Sequence, residues 1–543
     1  MSSLAGLSHG DLIRKMLVFC LFWGSASVLQ FRAHAFQSEF GSDPDEPAHY
    51  VTGLMVRDYA LSGFSKRPLE YARDYYVHYP KVALGHWPPF FYLVQAVWTL
   101  AFAPSRTAVM LLMGAITALL ATLLCETVRQ EMSFGFGAGV SALFVSLPVV
   151  ERFGSTVMSE MLLGLLVFLA LLSYGRYLDT EHWQPAACFG AWSVLAILTK
   201  GTAIQLALVP PFALLLTRRW HLLRRFSFWL PGIIVVGLAA PWYLRIPGAQ
   251  HELVAHFGGI EWRPERLTGT LVTWVDMAGV LPAAAAVLGL TIYAARLRRG
   301  ETSGKWIAGS AVLLGTYLIR LIIGAFEDRQ LMVDVTVLLM FAADAIRWLL
   351  SRSYLRIWWL AALSVVILIG FNVKASPIKH HYGFSEVADN LLQHPEFRDS
   401  IILVCSNATG EGMMISEIAM RELRPGHIVL RGSKMLATSD WMGWDYRLLF
   451  RDTEEMFQYL DGIPVGVVVI DGEGRQTPHG RMLYEAVHEH PGNWELVPWQ
   501  SDKTGAGADD ILIYRLVGQE QRKPRKIQIP MRSGLYGDFE TQF

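Results

Sequence analysis

Apolar runs of membrane length, separated by short breaks rich in arginine, leave this chain few folds to choose from. They lie near Leu12–Phe31, Thr107–Cys125, Phe134–Val150, Val157–Tyr174, Phe226–Leu244, Leu271–Ala294, Trp306–Ala325, Leu331–Leu350 and Ile357–Phe371. They are 15–24 residues long, about the length a helix needs to cross the hydrocarbon layer. In lipid every backbone N–H and C=O must be bonded internally, so such runs predict helices. A further apolar stretch, Ala187–Leu216, is interrupted by Thr199–Lys200–Gly201.

Short positively charged loops face the cytoplasm. Arg14/Lys15, Arg129, Arg176, Arg218/Arg219, Arg224/Arg225, Arg296/Arg298/Arg299 and Arg352/Arg356 then share one side. Under that rule Ala187–Leu216 becomes two short helices with Lys200 near the outer turn. Pro88–Phe102 begins and ends outside and is read as a helix lying in the interface. The expectation is about 11 spans, amino terminus inside and carboxyl terminus outside. Ala33–His34–Ala35 also resembles a signal-peptide cleavage signature, although a retained first helix would tether the loop that follows.

Hydropathy falls after about residue 375, which divides the chain into a membrane domain, 1–375, with a large outer loop, 36–104, and a soluble domain, 376–543. In the latter, Ile401–Cys405, His427–Leu430, Val465–Ile470 and Ile511–Tyr514 read as buried strands. Glu386–Gln393, Gly412–Arg421, Glu454–Leu460 and Arg481–His488 read as the helices between them, which predicts a small α/β domain. With a formal net charge of zero, the composition argues against nucleic acid as a partner. The four cysteines, Cys20, Cys125, Cys188 and Cys405, have no CxxC spacing, so neither a disulfide framework nor a cysteine zinc site is expected.

The polar punctuation of the membrane domain falls on the outer face. Asp43, Asp45 and Glu46 crowd the turn GSDPDEP just past the first span. A carboxylate there can act as a general base, with a second orienting the acceptor or a divalent cation; the turn equally suits a helix N-cap at Asp43 or Asp45. His86 precedes Pro88–Pro89, a helix start, and could contact a lipid-linked phosphate. Glu160 opens a span and needs a partner at the membrane boundary. Lys200 breaks an apolar stretch, where phosphate is a natural counter-ion. Arg329, in Glu327–Gln330, can fork onto phosphate oxygens, and the intramembrane Arg320 could do the same. The plainer alternatives are a bare helix start for His86–Pro89, a snorkelling end residue near Arg152 for Glu160, a structural helix break for Lys200, and internal pairing with Glu327 or Asp328 for Arg329. Gly410–Glu411–Gly412 and Asp471–Gly472–Glu473–Gly474 read as ordinary turns, Asn407–Ala408–Thr409 matches a glycosylation sequon, and Arg522–Lys526 is a basic tail.

In this order and topology the motifs resemble those of the GT-C membrane glycosyltransferases that use polyprenyl-phosphate sugars. Within that class they are closest to the protein O-mannosyltransferase and aminoarabinose transferase group. The resemblance covers roughly residues 10–375 and rests on Asp45–Glu46, His86–Pro88–Pro89, Glu160, Leu198–Gly201, Ala240–Tyr243 and Arg329–Gln330. Glu160 stands where Asp is commoner, Gln330 replaces Tyr, and the Pro-rich pattern that usually follows is missing. The resemblance implies an inverting transfer on the extracytoplasmic face of a bacterial inner membrane. The donor would be a polyprenyl-phosphate-linked sugar and the acceptor a protein, glycan or lipid. Asp45 would be the base, Glu46 or Glu160 would orient the acceptor, and His86, Lys200, Arg329 and Arg320 would hold the phosphate. No cofactor is required by this reading, and a divalent cation is compatible with it. Two other classes compete: a flippase for a lipid-linked sugar, which would line both leaflets with polar groups, and a receptor using the membrane part as an anchor.

Overall fold

The computed structural model describes residues 9–83, 85–246, 249, 262–323, 327–352, 358–438, 445–499, 510–518, 526–530 and 538–542. The end of the span expected to reach Ala325, Arg356 and most of the basic run 522–526 lie outside these residues. The chain divides into two compact units. One comprises Met1–Ala33, Gly85–Phe91 and Met110–Ile378; the other comprises His34–Leu84, Tyr92–Val109 and Lys379–Phe543. Most of the outer loop thus clusters with the carboxyl-terminal region, whereas its Gly85–Phe91 segment belongs to the unit of the spans.

The first unit is helical. Seven helices among the described residues are long and apolar enough to cross a membrane, and eight if a bent pair counts as one span. The bent pair is Phe134–Ser146 and Pro148–Gly154, turned by 68°. Its proline, at the first turn of the second helix, cannot donate to the end of the first.

Three of the eleven expected spans fall outside this count by length and composition among the described residues. Trp183–Ile197 is only 15 residues long, and the segment after it starts as a 3-10 helix, Gly201–Leu208, before Val209–Thr217. Met332–Arg352 has the length, but it carries Asp334, Asp344 and Arg347. The run Leu271–Ala294 is two helices, Arg266–Ala278 and Val280–Arg299. They break at Gly279, whose φ of 85° a side chain would resist. Phe90–Ala101 is a separate short apolar helix, as expected for the interfacial segment.

Burial sorts these helices. Glu160–Thr180 and Gly304–Ile322 are mostly covered by neighbours, whereas Trp358–Ala375 has no buried residue in its apolar stretch. Trp358, Val366 and Phe371 are exposed, as lipid-facing side chains should be.

The second unit contains a five-stranded sheet. Ile401–Cys405 pairs in parallel with Val429–Arg431 on one side and Val465–Ile470 on the other. Leu512–Leu516 then runs antiparallel to Val465–Ile470 and to Trp494–Leu496. The two central parallel strands are buried along their whole length, which explains their unbroken apolar sequences. The expected strands and the helices Phe384–Gln393, Ala408–Arg421, Thr453–Gly462 and Pro478–His488 all form. Trp494–Leu496, three residues long, was too short to carry an alternation signal. Four helix starts here are fixed by side chains: Asn407 accepts from the N–H groups of Thr409 and Gly410, Asp452 from that of Glu455, Asp471 from that of Gly474 and Thr477 from that of Gly480.

Candidate active site

Within the first unit, three of the residues singled out from sequence meet. Glu160 is the first residue of its helix and almost fully buried, which places its carboxylate at the positive end of the helix dipole. Lys200 Nζ donates to Glu160 Oε1 at 2.6 Å. Arg329 Nε lies 3.8 Å from the same oxygen and also pairs with Glu327. The Lys200 and Arg329 side chains keep 21% and 19% of their surface exposed, against 1% for Glu160. Two cations thus converge on one buried anion, Arg329 being paired with the exposed Glu327 as well, and both cations keep part of their surface accessible. Such a seat suits an anion with several oxygens.

The chain reaches this arrangement through a break in an apolar helix. The helix Trp183–Ile197 ends, Lys200 takes an extended conformation, and the 3-10 helix Gly201–Leu208 follows. Two other motifs pin the break. Tyr243 donates its hydroxyl to Ile197 O at 3.0 Å, so the Ala240–Tyr243 segment supports the end of that helix. The Phe90 N–H bonds Leu198 O at 2.8 Å, which fixes the end of the His86–Pro89 segment beside the same break. His86 is half-buried, its ring 5.8 Å from that of Trp87.

Arg320 is placed differently. It donates to Asp328 at 2.5 Å and to Thr273 at 3.3 Å, so its charge is balanced by the residue next to Arg329. Arg266, not singled out from sequence, donates to the carbonyls of Arg320 and Ile323 at 3.2 and 2.7 Å. It closes the end of the helix Gly304–Ile322, a job no local sequence pattern announces. Glu151 faces Arg32 at 3.7 Å.

Within the second unit the acidic turn has two unlike members. Asp45 is half-exposed and precedes the helix Glu46–Leu61 without capping it by its side chain. Its own N–H bonds Asp43 Oδ1 at 3.0 Å. Glu46 is fully buried. Its Oε1 takes Lys379 Nζ at 2.8 Å and its Oε2 takes the Ser42 N–H at 3.0 Å. Glu46 therefore ties the turn together, and Asp45 is its half-exposed neighbour. Three residues on, buried His49 shares a 2.8 Å hydrogen bond with Tyr92.

Among the described residues one group has metal-ligand spacing: Glu39, His381 and Glu386. His381 Nδ1 lies 3.1 Å from Glu39, and its Nε2 lies 2.9 Å from Glu386. Glu39 also accepts the N–H groups of Tyr382, Gly383 and Ser385 at 2.9–3.1 Å. Both ring nitrogens face carboxylates, which favours the imidazolium. The hydrogen bond and charge of Glu39, against burial, raise His381, with Glu386 adding to them. This donor set is spent on an internal ion-paired clasp, a poor fit to a cation.

No protein-family model matches the chain, and no curated protein matches it. Solved structures do. ArnT from Cupriavidus metallidurans bound to undecaprenyl phosphate matches with a TM-score of 0.59, over 93% of this chain and 99% of that one, at 14% identity. An Archaeoglobus fulgidus oligosaccharyltransferase in the apo form matches with a TM-score of 0.54, over 87% of this chain and 71% of that one, at 12% identity. The oligosaccharyltransferase AglB of that organism, in complex with an inhibitory peptide and a dolichol-phosphate, gives 0.53 at 10% identity, over 86% and 70%. The fold is that of the GT-C membrane glycosyltransferases: a polytopic helical protein with strands in its carboxyl-terminal region.

Proposed function

We propose that this protein is an inverting glycosyltransferase that moves a sugar from a polyprenyl-phosphate donor to an acceptor on the extracytoplasmic face of the membrane. The observation that carries the reading is the Glu160–Lys200–Arg329 cluster, two partly exposed cations converging on one buried carboxylate. A lipid phosphate gains negative charge as the sugar leaves, and preformed cations stabilise that charge without reorganising. Structures of the same fold hold undecaprenyl phosphate and dolichol-phosphate, ligands of this chemistry. His86, set beside the Leu198–Lys200 break, is assigned to the same phosphate.

Asp45 is assigned as the general base. It removes a proton from the acceptor nucleophile, which attacks the anomeric carbon on the face opposite the phosphate. Glu46 is assigned to holding the turn. The region 376–543 is placed outside the membrane together with the loop 36–104. The deciding experiment is incubation of purified protein with undecaprenyl-phosphate-linked sugars, including mannose and aminoarabinose, with a membrane extract as acceptor source. Release of undecaprenyl phosphate together with a glycosylated product supports the proposal. Movement of intact donor across vesicles without cleavage would favour a flippase instead.

A further inference from the structure

The motif Gly410–Glu411–Gly412, read from sequence as an ordinary turn, lies in the first turn of the 14-residue helix Ala408–Arg421. There it packs against the acidic turn. A Cβ on Gly412 would stand 2.6 Å from Pro47 Cγ and 2.9 Å from Lys81 Cε. The lysine end could swing away, but the proline ring is rigid, and Pro47 sits two residues after Asp45. The other end of the turn rests on the next residue of the helix: a Cβ on Gly41 would stand 2.5 Å from Met413 Sδ and 3.0 Å from the Tyr382 ring. Lys81 Nζ donates to Ala408 O at 3.1 Å, adding a third tie at the start of the helix. Burial and the charge of Arg431 push Lys81 down to about 7, while Asp45 and Glu411 pull it back up, so Lys81 and Asp45 interact electrostatically.

We infer that the first turn of the helix Ala408–Arg421 is the platform that fixes the Asp45 turn, with Gly412 and Lys81 as positioning residues. The carboxyl-terminal region then takes part in the reaction by holding the base still, through contacts at both Gly41 and Pro47. This inference rests on the assignment of Asp45 as base. In enzymes a misplacement of about 1 Å costs about a hundredfold in rate, so small displacements of this turn are enough to be read in kcat.

The test uses the full chain in detergent, with the sugar-donor panel and membrane extract above, undecaprenyl phosphate as the binding probe, and hydrogen exchange over residues 41–47. Gly412→Ala is expected to lower kcat about ten- to a hundredfold. Donor KM and affinity for undecaprenyl phosphate stay unchanged, and exchange over 41–47 speeds up. Pro47→Ala in the same chain removes the clashing ring atom and restores turnover. A folded Gly412→Ala protein with wild-type kcat and exchange overturns the inference. Should Gly412→Ala fail to fold, Lys81→Met removes the bond to Ala408 without adding bulk. Unchanged kcat and exchange in that variant are equally fatal. Undiminished turnover in Asp45→Asn removes the base assignment instead, and the exchange readout keeps the two failures apart.

Discussion

Lys200 and Glu160 are joined at 2.6 Å across 40 residues of chain, from an extended break in one apolar stretch to the first residue of another helix. A lysine exposed on one side and paired on the other holds its charge ready for a ligand. Lys200→Met is expected to weaken undecaprenyl phosphate binding by about ten- to a hundredfold, the value of one hydrogen bond to a charged group. Tryptophan fluorescence titration reads this directly. Binding unchanged within twofold would remove Lys200 from the phosphate seat.

Glu160→Gln makes the complementary case. It takes the anion from Lys200 and leaves Arg329 with Glu327, and removing one partner of a buried pair costs about 3–5 kcal/mol. The released positive charge is then open to another anion. Undecaprenyl phosphate should raise the melting temperature of Glu160→Gln by more than it raises that of the wild type. A smaller rise in the variant contradicts the assigned role.

The residues that punctuate the apolar runs could be read from sequence because charge is costly near lipid and rarely placed there without use. Glu160, Lys200 and Arg329 stood out on that ground, and the structure brings them together. What did not show was the partner of each charge. Asp45 and Glu46 are adjacent and chemically alike, yet one is half-exposed and the other is sealed against Lys379, more than three hundred residues later. Arg266 lay unnoticed because its work is to bond carbonyls at a helix end. The count by length among the described residues is lower than eleven because Trp183–Ile197 and Val209–Thr217 are short and Met332–Arg352 carries charge, three segments that the expectation took as spans. The strands of the second unit were legible because those in the centre are buried on both faces and therefore apolar throughout.

The contrast between the two acids gives a sharp test. Asp45→Asn is expected to keep the melting temperature and lose about a hundred- to ten-thousandfold in turnover, the range for general base catalysis. Glu46→Gln is expected to do the reverse in emphasis. It strands the buried Lys379 ammonium and lowers stability by about 3–5 kcal/mol, with lost activity tracking lost fold. Equal melting temperatures for both variants would contradict the division of roles.

The Glu39–His381–Glu386 clasp makes the stability of the second unit depend on pH from both sides. Burial on its own would raise Glu39, but the hydrogen bond and charge of His381, with the Tyr382 N–H, hold it down to about 2. Its contribution is present above its ordinary value of 4.5 and is lost as pH falls toward about 2. The shift corresponds to about 3 kcal/mol. His381 is shifted the other way, above its ordinary 6.5. Its contribution is complete below 6.5 and disappears as pH rises through the elevated value. The clasp is thus strongest between roughly pH 4.5 and 6.5. His381→Gln should therefore cost most stability in that window and progressively less above neutrality. Hydrogen exchange over residues 379–386, compared with the wild type at pH 5.5 and pH 9 after correction for intrinsic rates, is the measurement. A penalty that stays constant across that range means that His381 is neutral in the folded protein, and the imidazolium clasp is then wrong.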